Sequence, residues 1–168
     1  APDNRLYVDV FARTMWVSLL VTLLSLAIGY PLAYWLSHLP TKTANLMMVL
    51  VLLPFWTSLL VRTTAWIVLL QKEGVVNSML LALGVIQEPL TLVFNRFGVV
   101  IAMTHVLLPF MVLPIYSVLQ AIPRNLMPAA SSLGAPPWRA FLKVLLPLSL
   151  RGILSGMLLV FMTAIGYY

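Results

Sequence analysis

The chain has 168 residues, 62% of them hydrophobic and only 8% charged, with a mean hydropathy of +1.03. A soluble domain carries about 25% charged residues, so a water-facing globule of this composition would leave its surface uncovered, and lipid is the matching solvent. The net charge of +6 does not point to nucleic acid, because the ten Lys and Arg stand singly between uncharged stretches and form no basic patch; the absence of cysteine excludes disulfides, thiolate chemistry and Cys-based metal sites.

A helix needs about 20 apolar residues to cross a hydrocarbon layer of about 30 Å. The start, Ala1-Pro-Asp-Asn-Arg-Leu6, has neither an initiator Met nor the layout of a signal peptide, and the end, Ala164-Ile-Gly-Tyr-Tyr168, falls inside an apolar run. The expectation is therefore a portion of a longer protein, with spanning sequence missing on both sides. Met15 to Leu36 carries no charge and is the clearest span. Ser37 to Asn45 is a short polar turn containing Pro40. A second span is predicted over residues 45–62, closed by Arg62. Thr63 to Leu70 either extends that helix or turns along the membrane interface. Gly74 to Gln87 is uncharged but too short to span, which predicts a re-entrant or surface-lying helix. Phe97 to Pro123 lacks Lys, Arg, Asp and Glu and contains a third span ending near Leu119. Residues 120–149 are polar, Pro-rich and basic, and a fourth span starts near Leu150 and is cut off at Tyr168.

Alternate loops group residues 37–45 with 120–149. That group holds Lys42, Arg124, Arg139 and Lys143, with Arg151 at its edge and no acid, whereas all four acids fall in the other group. The Lys and Arg tally that sets orientation is nearly even between the two, and loops 37–45 and 120–149 are placed in the cytoplasm. Val-Leu-Leu-Pro recurs at 51–54, 106–109 and 144–147 without a fixed period, as chance in a Leu- and Val-rich chain produces. Pro31, Pro54, Pro109 and Pro114 lie inside predicted spans and are expected to bend them.

Few single residues carry chemistry. Arg62 at a span end reads first as a snorkelling arginine, and second, with Thr57 and Ser58, as part of a pathway or gate. His105 is the only ionisable group well inside a span, which makes it a pathway candidate. Trp16, Trp35, Trp56 and Trp66 with tyrosines 30, 34, 116, 167 and 168 read as interfacial belt or packing. Gly152 and Gly156 form a small-xxx-small pair suited to close helix contact. No acid lies in a span, and neither a His-Glu-x-x-His run nor a Gly-x-x-x-x-Gly-Lys-Ser/Thr loop occurs. The chain is thus expected to catalyse nothing itself and to hold no metal or cofactor.

Residues 122–156 carry the strongest signal. Asn125 fits an N-cap, with Pro128 in the first turn where no donor is needed. Gly134 fits the left-handed position after a short helix. Pro136 and Pro137 restart the chain, Trp138, Phe141 and Leu142 line one side of a second short helix, and Pro147 ends it. Coupling helices are predicted at 125–133 and 137–143. Leu133, Trp138 and Phe141 are more apolar surface than so small a knob buries, which invites a partner.

This segment resembles the coupling loop of permease subunits of ABC importers. That loop has Glu-Ala-Ala, three residues, Gly, nine residues, an aliphatic residue, any residue, then Leu-Pro. Here Ala129-Ala130, three residues, Gly134, nine residues, Val144, Leu145 and Leu146-Pro147 keep the spacing, and Pro128 stands where the family has Glu. Tyr30-Pro-Leu-Ala-Tyr34, Leu53-Pro-Phe-Trp-Thr-Ser58, Arg62-Thr-Thr-Ala-Trp66, Gly74-Val-Val-Asn-Ser78 and Leu108-Pro-Phe-Met-Val-Leu-Pro114 look like the spermidine/putrescine-type branch.

The resemblance implies an all-α membrane protein: a polytopic transmembrane helical bundle with about four spans in view. It forms one permease domain over 1–168, truncated at both ends, with a cytoplasmic coupling loop at 120–149. The first span, part of the fifth and all of the sixth would be missing. It implies a bacterial inner-membrane location and an ATP-driven importer, carrying a polyamine or another small organic solute. The implied partners are two copies of a cytoplasmic ATP-binding subunit, a second permease subunit, same or different, and a periplasmic or extracellular solute-binding protein, with lipid around the bundle and no nucleic acid. Coupling residues would be Ala129, Ala130, Gly134, Trp138, Arg139, Phe141, Val144, Leu146 and Pro147. The alternative from another class is an ion-coupled secondary transporter, whose intramembrane carboxylates and inverted repeats do not appear here. A passive scaffold would leave the 120–149 loop unexplained.

Overall fold

The computed structural model describes residues 3–167, which form helices joined by short turns. α1 runs from Asp3 to His38, about 54 Å at 1.5 Å per residue. Its last two thirds are the predicted first span. The segment before Met15, expected as a loop, is helical too, because no Gly or Pro interrupts residues 3–28. The helix stops before Pro40, whose ring disfavours helical backbone in the residue preceding it. Ser37 Oγ and His38 Nδ1 satisfy the Tyr34 carbonyl there, at 2.7 and 2.8 Å.

The predicted second span over 45–62 is corrected. It is two helices, α2 (Thr41–Trp56) and α3 (Leu59–Leu70), broken at Thr57 and Ser58, and the two arms meet at a bend of 99°. Thr63 to Leu70 thus belongs to the second arm. The uncharged stretch after it yields only a short helix, α4 (Val75–Ala82). Its anchor is Asn77, fully buried, which donates to the carbonyls of Gln71 and Leu90 and accepts from the Leu90 N–H at 2.9 Å. One amide side chain therefore ties the whole 71–90 segment together.

α5 (Arg96–Ala121) is the predicted third span, and it continues through Pro109 and Pro114, as α1 does through Pro31. Two short helices follow, α6 (Leu126–Ser132) and α7 (Pro137–Ala140). A π-helical turn over Phe141–Leu145 then leads directly into α8 (Leu146–Tyr167). Among the described residues three helices are long and apolar enough to cross a membrane, or up to four spans if the bent α2–α3 pair counts as one.

The core is α1, α5 and α8. α5 contributes large buried side chains, Leu107, Met111, Val112 and Ile115. The buried faces of its neighbours mix small residues (Ser18, Thr22, Ser25 and Ala33 on α1; Ser149, Gly152, Gly156 and Ala164 on α8) with Val21, Leu36, Ile153 and Val160. A Cβ added to Gly29 would lie 3.0 Å from Met111 Cγ, and one on Gly156 would lie 2.8 Å from Met111 Sδ. Met111 is therefore seated between two glycines on opposite neighbours. At Gly152 the contact is with backbone, 2.9 Å to the Pro114 carbonyl and 3.0 Å to Ile115 Cα. The small-xxx-small pair thus packs α8 onto α5. In lipid such packing replaces the hydrophobic effect as the force between helices. The outward faces of α1 and α8 (Trp16, Leu23, Ile28, Leu154, Leu158, Met162) are exposed apolar surface.

Because the Gly152 contact is with backbone, a side chain there cannot be absorbed by a rotamer change. Gly152→Leu is expected to lower unfolding stability in detergent by roughly 1–3 kcal/mol. Gly166→Ala, where an added Cβ meets nothing within 4 Å, is expected to be neutral or stabilising by up to about 1 kcal/mol. Thermal unfolding of the two purified variants beside the parent checks both.

Candidate functional site

The ends of α1 and α5 and the start of α8 coincide. Gln120 Nε2 reaches the Ser37 carbonyl at 3.5 Å, and the Tyr30 hydroxyl meets Ser149 Oγ at 3.0 Å. Loops 37–45 and 120–149 therefore sit at one end of the bundle, as the loop grouping requires.

The knob at that end is built around Gly134, at φ +84°. The Ala135 N–H bonds to the Ala130 carbonyl at 3.1 Å and the Gly134 N–H to the Ser131 carbonyl at 3.0 Å, which closes α6 as a Schellman motif. A Cβ built on Gly134 would meet nothing within 4 Å. The requirement for glycine there is one of backbone conformation and not of space. Asn125 occupies the position before α6 but its side chain makes no cap bond, and its backbone is already helical at ψ −12°, so the expected Asn cap is absent. Pro137 opens α7, where its missing N–H costs nothing.

The second short helix differs most from expectation. It was predicted over 137–143 with Pro147 as its terminator. Instead α7, the π-turn and α8 form one uninterrupted helix from Pro137 to Tyr167. Pro147 is accommodated by the π-turn ahead of it. In a regular α-helix its ring would collide with the Lys143 carbonyl, and here the preceding turn widens, with the Leu146 N–H bonding to the Phe141 carbonyl. A proline can sit in a helix whose previous turn is π rather than α.

Side chains expected on one face are found on two. Trp138 is 60% exposed and carries the Arg139 guanidinium over its ring at 5.1 Å, and Leu133 is 89% exposed. Phe141 instead turns inward, edge-on to Tyr30 and Tyr34 of α1 with ring centroids 5.9 and 6.3 Å away. Ala129 and Gly134 lie on the open surface, Ala130 and Val144 are partly covered, and Leu146 and Pro147 head α8. The outer face is thus Leu133, Trp138 and Arg139. Tyr30, Tyr34 and Ser149 were read as belt or packing, or passed over. Their signal was the four-residue spacing of the tyrosines, which puts both rings on one face of α1.

Three of the pathway candidates come together at the α2–α3 corner. Ser58 Oγ accepts from the Val61 N–H at 3.2 Å and caps α3. Arg62 folds back over the break. Its guanidinium donates to the Thr57 carbonyl at 2.9 Å, to the Pro54 carbonyl and to Thr57 Oγ1. A cation on the last carbonyls of α2 suits the negative end of that helix, so Arg62 clasps the corner and does not snorkel freely. His105 lies apart on α5, with its ring 5.4 Å from that of Trp66. Between α3 and α5 a cavity of about 270 Å³ is lined by Arg62, Trp66, Gly98, Met103 and Leu107, among others.

Comparison of the sequence with known proteins shows a family. Residues 11–168 match the family described as binding-protein-dependent transport system inner membrane component. The chain is 38% identical over 165 residues to the spermidine/putrescine transport system permease protein PotB of Escherichia coli, covering 98% of this chain and 60% of that one. Its likeness to PotB of Haemophilus influenzae is also 38%, over 98% of this chain and 58% of the relative. The inner membrane ABC transporter permease protein YdcU of Escherichia coli is 32% identical, over 94% of this chain and 54% of the relative. The chain spans somewhat under two thirds of the length of these relatives. It belongs to the binding-protein-dependent transport system inner membrane component family.

Proposed function

We propose that the protein is a permease subunit of an ATP-driven ABC importer, with residues 120–149 as its cytoplasmic coupling loop within a single permease domain. The observation that carries this reading is the knob itself. Gly134 closes α6 rigidly, Leu133 and Trp138 stand out to solvent, and α7 runs on into the spanning helix α8. A partner that grips the outer face therefore holds a lever continuous with the membrane. The partner the family spacing calls for is an ATP-binding subunit, two copies per transporter. It is joined by a second permease subunit, same or different, and by a solute-binding protein on the far side.

Solute is passed between the permeases, and ATP is hydrolysed in the partner. The likeness to PotB supports a polyamine, or another small organic solute, as cargo. Thr57, Ser58 and Arg62 at the broken span, and His105 beside Trp66, are the pathway and gate candidates. Irregular backbone at membrane depth is tolerated where it is buried in protein or lines a cavity, which suits a break flanked by one. Pro128 replaces the carboxylate of the family's first loop position, so docking here rests on the apolar face and on Arg139.

Two measurements test the proposal. The full-length tagged subunit, solubilised in detergent, is expected to retain an ATPase bearing a phosphate-binding loop, and to lose it when residues 128–143 are deleted. Recovery of no ATPase in either case would favour an ion-coupled transporter. The second concerns Gly134. A β-branched residue there carries a left-handed strain of about 1–2 kcal/mol, so Gly134→Val is expected to uncouple hydrolysis from uptake while still inserting in the membrane. Gly134→Asn, which tolerates that conformation, is expected to keep coupling. Equal coupling in the parent and the Val variant would remove the role of the turn.

A further inference from the structure

The coupling loop touches more of the bundle than the helix it continues into. Phe141 lies edge-on to both Tyr30 and Tyr34, at interplanar angles of 83° and 85°, the geometry that aromatic quadrupoles favour. Two turns further on, Ser149 is fully buried and donates its own proton to the Leu146 carbonyl at 3.0 Å. Its hydroxyl also shares a 3.0 Å hydrogen bond with that of Tyr30. Ala140 and Leu145 on the same stretch are buried as well. One face of the π-turn and of the start of α8 is thus fastened to α1 at two levels, by rings and by a hydrogen bond. The opposite face, with Trp138, is free for a partner.

The π-turn sets how both faces stand relative to α8. An extra residue in the turn rotates everything before it relative to α8, by about 100° for one residue at 3.6 per turn. With the turn widened ahead of Pro147, Trp138 points away from the bundle while Phe141 points into it. α1 is also held a little deeper in the bundle, where Gly29 sits against Met111 of α5. A push on the knob therefore cannot bend α8 alone without parting Phe141 from two rings of α1.

We infer that Phe141, with Tyr30 and Ser149, is the positioning clamp that passes movement of the coupling loop to α1, so that α1 and α8 swing as one body. This rests on the importer reading above. Tyr34 completes the ring contact, and the outer residue Trp138 serves docking only.

The test uses the complete transporter, with full-length permease, ATPase and binding protein, reconstituted in liposomes; the readout is solute moved per ATP hydrolysed. Phe141→Ala is expected to keep hydrolysis and lower that ratio about fivefold or more, the low end of a measurable coupling change. Trp138→Ala is expected to lower hydrolysis and uptake together, at an unchanged ratio, because it weakens docking and not transmission. Phe141→Tyr, which keeps the ring edge, is expected to restore most of the ratio. An unchanged ratio in Phe141→Ala, or a joint fall like that of Trp138→Ala, overturns the clamp. Should Phe141→Ala fail to assemble, Tyr30→Phe decides: it keeps the ring and removes only the hydrogen bond, and an unchanged ratio overturns the clamp. Failure of the importer reading is a separate result, seen in the parent transporter as absence of ATP-driven uptake.

Discussion

The structure depends on how closely α1 and α8 approach α5. Between helices in lipid the hydrophobic effect supplies no attraction, and contact must come from packing and hydrogen bonds. Here the central helix brings bulk, with Met111 and Ile115 fully buried, and its neighbours bring small residues that let the backbones close in. Gly29 and Gly156 leave room for Met111 from two sides, and Gly152 rests on the backbone of Pro114 and Ile115. Ser18 and Ser25 serve the same close approach, each with a buried hydroxyl that has no partner among the described residues. The cost of such a group is of order 1–3 kcal/mol, so the small volume outweighs the lost bond.

Everything at the knob end follows from that triad. Once α1 and α8 are pressed onto α5, the end of α1 lies beside the start of α8, and Tyr30 and Tyr34 are in place to receive Phe141 and Ser149. Pro147 lies just past the π-turn, and the register of this meeting is that of the widened turn ahead of it. The residue that looks like a helix breaker is thus carried within the helix that joins α7 to the span beyond it.

α2 and α3 stand outside the triad. α2 touches α5 through an edge-on pair of rings, Phe55 and Phe110 at 5.0 Å, and most of its large side chains are exposed. Its break is settled locally, by the Thr57 and Ser58 hydroxyls and by Arg62 turned back on the carbonyls that the break sets free. A cationic side chain that closes a helix end inside an apolar segment needs acceptors close by, and the break supplies them.

Composition and charge-free runs determined that the chain is a helical membrane bundle and located the first, third and fourth spans. Spacing within 129–147 picked out the knob, and Gly134 was legible because only a left-handed backbone explains a glycine at that point of a short helix. These are one-dimensional properties: hydropathy integrates along the chain, and turn chemistry reaches only a few residues. Three features were decided by tertiary structure. The span predicted over 45–62 contains Pro54, which is expected to bend it, but nothing local distinguishes a 99° break there from the unbroken helix that α5 forms through two prolines. Pro147 was read as a stop because a proline's local preference is to end helices, whereas packing of Phe141 and Leu145 against the bundle keeps the widened turn helical. The inward turn of Phe141 was illegible for the same reason. Which face of a helix is buried depends on its rotation against a neighbour more than a hundred residues away, and that neighbour, α1, is brought there by close packing on α5, with Gly29 of α1 and Gly156 of α8 both against Met111.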